Sequence, residues 1–105
     1  MSLEGIIAGD FGQPIMLTCK DKDTDNAVDI SAYTTSQEMI FKDPDGNMHA
    51  ETAAFVTDGS DGQVTYTPDD GGDVNDEDGE WYVRARVVKS DAQLTSLWHR
   101  YSVLP

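Results

Sequence analysis

Five Asp-Gly pairs divide this chain: Asp45-Gly46, Asp58-Gly59, Asp61-Gly62, Asp70-Gly71 and Asp78-Gly79. Each is a turn signal, because glycine accepts positive φ and aspartate hydrogen-bonds its own backbone. Further turn-rich stretches at Asp23 to Asn26 and Lys89 to Asp91 leave only short pieces between them. Those pieces alternate. Ile15, Leu17 and Cys19 interleave with Met16, Thr18 and Lys20. Trp81, Val83, Ala85 and Val87 interleave with Tyr82, Arg84, Arg86 and Val88, and Val64 and Tyr66 with Gln63, Thr65 and Thr67. A period of two with one apolar face means a sheet with one side on a core. No window carries a helical stripe of ten or more residues. Strands are expected at 5–9, 14–21, 28–30, 36–42, 49–57, 63–67, 80–88 and 93–104. Seven or eight short strands with a turn every ten or so residues read as an all-β antiparallel sandwich. No βαβ pattern calls for a parallel sheet.

The 105 residues make one domain, 1–105. Residues 1–4 are read as partly an expression remnant or disordered. The inward set is expected to be Trp81, Val83, Ala85 and Val87 facing Ile15, Leu17, Cys19, Val64 and Tyr66. Pro44 and Gly46 shape a tight reversal after strand 36–42. On its return strand, Ala53 and Phe55 are expected to share the inner face. Trp98 and Tyr101 have opposite phases in the last strand, so one faces the core and the other is a candidate contact residue.

A net charge of −13 argues against nucleic acid phosphates and anionic lipid as partners, since both need clustered Lys and Arg. Arg84, Arg86 and Lys89 form the one near cluster. No run approaches the roughly 18 apolar residues of a membrane span. The start lacks a basic stretch followed by an apolar one, so no signal peptide is visible. Cys19 is the lone cysteine, which rules out an internal disulfide, and its phase with Ile15 and Leu17 makes it a small buried residue.

Residues 68–81, PDDGGDVNDEDGEW, hold seven acidic side chains and no basic one. Asp73, Asn75 and Glu77 alternate as calcium ligands do. An EF-hand loop then needs glycine at position 6 and a bidentate carboxylate at position 12. Counting from Asp73, those positions are Asp78 and Arg84. Counting from Asp21, they are Asn26 and Ala32. Both matches are broken, so 69–80 reads as a solvated acidic turn with Val74 tucked against the core, and a weak calcium site as the alternative. Ser31, Thr34, Thr35 and Ser36 have no histidine or aspartate at a nucleophile turn. His49 and His99 are isolated. No catalytic, cofactor-binding or metal-ligating residue is assigned.

A resemblance adds to this reading. It rests on Gly9-Asp10-Phe11-Gly12 before Pro14-Ile15-Met16-Leu17, then Ala27-Val28-Asp29-Ile30-Ser31 and Met39-Ile40-Phe41-Lys42-Asp43-Pro44-Asp45-Gly46. It continues through Val56-Thr57-Asp58-Gly59-Ser60-Asp61-Gly62-Gln63-Val64-Thr65-Tyr66 and Gly79-Glu80-Trp81-Tyr82-Val83-Arg84-Ala85. Over residues 9–103 the chain resembles the immunoglobulin-like domain at the N-terminus of phage baseplate upper proteins, and small tail-associated proteins of phages and prophages. The resemblance implies an immunoglobulin-like sandwich that is a non-catalytic virion part, assembled in the bacterial host cytoplasm. It implies other virion proteins as partners and brings no catalytic residues. In baseplate upper proteins further modules follow this domain, whereas the sequence here stops at residue 105, as a stand-alone domain or as a fragment of a longer protein, which leaves the connector role open and not the fold. A dimer or closed ring is the expected form of any self-association. The alternative is a carbohydrate- or cell-surface-binding module using calcium or exposed aromatics, and an enzyme is the remote third reading.

Overall fold

The computed structural model describes residues 6–21 and 23–105. The reading of residues 1–4 as remnant or disordered lies outside them. Nine strands form: β1 (Ile6–Ile7), β2 (Ile15–Thr18), β3 (Ser36–Lys42), β4 (Met48–Thr52), β5 (Ala54–Phe55), β6 (Gln63–Tyr66), β7 (Gly79–Lys89), β8 (Ala92–Thr95) and β9 (His99–Leu104). No helix occurs among the described residues. The larger sheet runs β1-β9-β7-β3-β4, with β8 also on β7; the smaller runs β2-β6-β5. The chain is thus the all-β sandwich that its turns and alternation predict. The β9-β7-β3 and β2-β6-β5 groupings match the two sheets of immunoglobulin domains. All pairings are antiparallel except one: β1 lies parallel to β9, Ile6 opposite Val103 and Ile7 opposite Leu104.

The predicted inward set is in the core. Ile15, Val64, Trp81, Val83, Ala85 and Val87 are fully buried, with Leu17 and Cys19 nearly so. Tyr66 is half-buried against them, its ring 5.6 Å from Phe41. Ala53 is buried and Phe55 packs on the same cluster. Trp81 opens the long strand β7, and its indole N–H donates to the Glu77 carbonyl at 3.0 Å. A tryptophan here does what the corner tyrosine of immunoglobulin domains does, tying the start of a central strand to the backbone just upstream.

Three expected strands differ in detail. The segment 28–30 forms no strand. It follows a Lys20–Ala27 bridge and is held by Val28 N–H to the Cys19 carbonyl (2.8 Å) and Ile30 N–H to the Gly59 carbonyl (2.9 Å). Gly62 permits that approach: it has φ +76°, and a Cβ there would lie 2.7 Å from the Val28 carbonyl oxygen. The expected strand 49–57 splits at buried Ala53. Its first half joins the larger sheet through β3 and its second joins the smaller through β6. The expected strand 93–104 breaks at Ser96–Trp98. There the Ser96 hydroxyl oxygen accepts the Ala85 N–H at 2.9 Å, replacing a ladder bond and bending the chain.

Candidate functional site

The acidic loop is built around two inward residues. Val74 is buried, as its apolar character predicts. Asn75 is buried as well and has φ +60°. Its side-chain oxygen accepts the Tyr101 hydroxyl at 2.7 Å, and its carbonyl accepts the Gly9 N–H at 2.8 Å. Asparagine suits the spot, because it tolerates the left-handed conformation better than most side chains. Burial pushes the Tyr101 phenol well above its ordinary pKa. The Asp73, Asn75, Glu77 alternation therefore does not converge on a cation: Asn75 points into the protein and is already an acceptor.

Glu77 instead meets the β3–β4 turn. One carboxylate oxygen each from Asp43, Asp45 and Glu77 lie within 4.8 Å of one another. Asp43 is the turn's structural post. Its Oδ1 accepts the N–H groups of Asp45 (3.0 Å) and Asn47 (2.8 Å), and its Oδ2 accepts His49 Nε2–H at 2.9 Å. The His49 hydrogen bond, aided by those two amides, holds the Asp43 carboxyl below its ordinary range against the opposing effect of desolvation. Glu77 is pushed up by desolvation first, then by the charges of Asp45, Asp43 and Asp76. Nothing in the sequence pairs these residues, since they belong to different turns.

Calcium takes 6–8 oxygen ligands. Here Asp43 already receives three donors, which leaves Asp45 and Glu77 as the free carboxylates. Micromolar calcium is accordingly expected to leave the melting midpoint unchanged. A saturating upward shift at micromolar calcium, absent with magnesium, would overturn this, since a ligand that binds only the folded state stabilises it by RT ln(1 + [L]/Kd).

The raised Glu77 carboxyl has a signed consequence. The folded state holds this proton more tightly than the unfolded chain. Its contribution to stability is full below the ordinary pKa of 4.5 and is lost as pH rises through the folded value. Glu77→Gln is expected to melt above wild type at neutral pH, with the gap closing below about pH 4.5. Asp29, Asp43 and Asp58 act in the opposite sense, held low by hydrogen bonds from Ser31, His49 and Ser60 respectively. Their contribution is present above 3.8 and is lost in more acid solution. A Glu77→Gln curve that parallels wild type at every pH would contradict the assignment.

The other candidates separate. In the second acidic turn, Asp21 Oδ1 accepts the Asp23 and Thr24 amides (2.8 and 3.3 Å), a local turn rather than a ligand ring. Cys19 is buried and burial pushes its thiol up, away from a reactive thiolate. His99 is exposed on β9, and His49 serves Asp43. Ser31 donates its backbone N–H to Asp29 at 2.9 Å. An open depression of about 470 Å³ lies beside Ala53, Ala54, Thr65, Tyr66 and Asp69. Its Tyr66 phenol is pushed up to about 12, by burial first and then by Glu51, Asp69 and Asp73.

Of the two late aromatics, Tyr101 faces the core and Trp98 faces out. Trp98 sits in the break between β8 and β9. The Arg84 guanidinium lies over its ring at 4.3 Å, and the Tyr82 ring meets it edge-on at 6.5 Å. Of the near cluster of cations, Arg86 grips Glu38 through two nitrogens (3.2 and 2.8 Å) and Lys89 lies 5.0 Å from the Tyr33 ring. The stacking of Arg84 on Trp98 is legible in the sequence only as an outward aromatic. The bend at Ser96 is what sets it over β7.

Fold and surface together define the class: an acidic β-sandwich with its negative charge on the turns and a cationic, aromatic patch on one sheet face. Comparison with protein-family models, curated proteins and solved structures found no match.

Proposed function

We propose that this chain is a non-catalytic structural or assembly module of a phage or prophage virion, associated with the tail or baseplate and acting by protein–protein contact. The virion part rests on the sequence resemblance over residues 9–103. The contact part rests on one observation: the outer face of the larger sheet gathers Met48, Tyr82, Arg84 and Trp98. Aromatic residues, Met and Arg are the residue types enriched in protein interfaces. The partners are other virion proteins, with self-association into a dimer or ring as a further route. Its location is the virion, assembled in the host cytoplasm.

Mass spectrometry of purified particles from an induced lysogen is expected to find the chain among the structural proteins. Its absence from particles, with retention on a glycan column, would transfer the assignment to the carbohydrate- or cell-surface-binding alternative. Repeating the column with and without calcium would then show whether that binding needs the cation.

A further inference from the structure

Charge on this molecule is segregated. On the outer face of the larger sheet, Lys42 stands opposite Tyr82, Ile40 opposite Arg84 and Glu38 opposite Arg86, with Arg100 on the other side of Tyr82. Four of the seven Lys and Arg of a chain at −13 therefore share one face. Two carboxylates share its ladder positions, and both are neutralised: Glu38 by Arg86 at 2.8 Å and Glu80 by Arg100 at 3.0 Å. Among the described residues Lys42 and Arg84 form no ion pair. Lys42 lies 5.7 Å from the Tyr82 ring centroid and Arg84 lies over Trp98. The Arg84 Nε–H is buried without an acceptor, so the guanidinium is held in place by stacking and not by a carboxylate.

The surroundings are apolar. Ile40 points outward yet is only 6% exposed, as expected where long side chains lay their stems across it. Met48, paired with Lys42 on the same face, is exposed at 55%. The face thus has an aromatic and aliphatic centre with two unneutralised cations, and ion pairs nearby. We infer that this face docks a carboxylate-bearing surface of a partner protein, with Arg84 and Lys42 receiving the carboxylates and Tyr82 and Trp98 as the apolar floor. The inference rests on the protein-contact reading above and adds the sign of the partner.

Sign and orientation follow from the same charges. The acidic turns repel an anionic partner, so such a partner is drawn to this face and oriented by it. A second copy docking face to face would set Arg84 and Lys42 against their own counterparts, with −13 on each chain. That arrangement is disfavoured. Arginine already stacked on tryptophan presents its fork at little further entropic cost, which suits it to a carboxylate.

The test uses the two indole N–H signals of a ¹⁵N-labelled chain, one from Trp98 and one from buried Trp81. A short peptide alternating Glu and Leu is expected to move the Trp98 signal saturably and leave Trp81 in place. Arg84→Glu and Lys42→Glu are each expected to weaken that binding about tenfold or more, and added salt to weaken it further. The Trp81 signal reports that each variant is folded, and Lys42 is the milder site should Arg84→Glu disturb the sheet. No Trp98 shift up to millimolar peptide overturns the inference. So does equal binding by a Lys-Leu peptide, or a shift indifferent to both variants. A Trp98 shift that follows protein concentration without peptide makes a second copy the occupant, and one caused by a sialylated oligosaccharide makes it a glycan; either overturns the inference. An unmoved Trp98 in a chain found in purified virions sinks this docking face alone. Absence from virions sinks the virion reading, whatever the peptide does.

Discussion

Trp81→Ala is expected to destabilise the domain by about 3–5 kcal/mol, a large share of the roughly 5–15 kcal/mol that holds a small domain together. Trp81 is fully buried, its ring stacked on Tyr101 at 6.4 Å and near His49 at 6.4 Å. Truncation removes that packing and opens a cavity between the sheets. It also strips the Glu77 carbonyl of its indole donor. For a domain of this size each kcal/mol moves the melting midpoint by about 4–8 °C, so a fall well beyond ten degrees is expected in a thermal melt. Trp81→Phe keeps a ring and loses the N–H, and should fall between the two. A midpoint for Trp81→Ala within about two degrees of wild type would refute the inward placement.

The second large effect lies in the acidic loop and has nothing to do with its acidity. Asn75→Ala is expected to cost about 2–4 kcal/mol. About 1–3 of this comes from leaving the buried Tyr101 hydroxyl without its acceptor. The remainder is strain, because alanine at φ +60° forgoes the tolerance that asparagine shows there. Asn75→Gly separates the two, since glycine is free at that φ and should recover about 1 kcal/mol relative to alanine. Tyr101→Phe removes the other end of the bond. The double variant should show coupling, because the two single changes delete one interaction. Urea unfolding gives all four values. Additive costs for Asn75→Ala and Tyr101→Phe would mean that the 2.7 Å bond is not what holds the loop.

The strands that the sequence shows well are those whose pattern is purely local. Ser36 to Lys42 carries the apolar run Met39-Ile40-Phe41 and ends at the turn Asp43-Pro44-Asp45-Gly46, and β3 has those bounds. Trp81 to Val87 places one apolar residue at every second position, and β7 buries each of them. Val74 alone among acidic and glycine neighbours could go only inward. The misses share a cause. The break at Ser96 depends on a hydroxyl that meets Ala85 of another strand. The switch of sheets at Ala53 depends on which neighbour each half finds. Residues 28–30 carry a strand-like sequence, yet the carbonyls of Cys19 and Gly59 hold that segment, not a ladder.

By itself the sequence determined the class of fold, the inward faces of β2, β6 and β7 and the turns that separate the strands. Those follow from period-two alternation and from the backbone preferences of Gly, Pro and Asp, which act within a few residues. The tertiary structure alone decided that β1 runs parallel to β9 and that Asn75 answers Tyr101. It alone brought Glu77 to Asp43 and Asp45, and Arg84 over Trp98 beside unpaired Lys42. Hydrogen bonds, charge pairs and ring stacking act over a few ångströms through space, whatever the separation along the chain, so only the folded arrangement of the two sheets could set them.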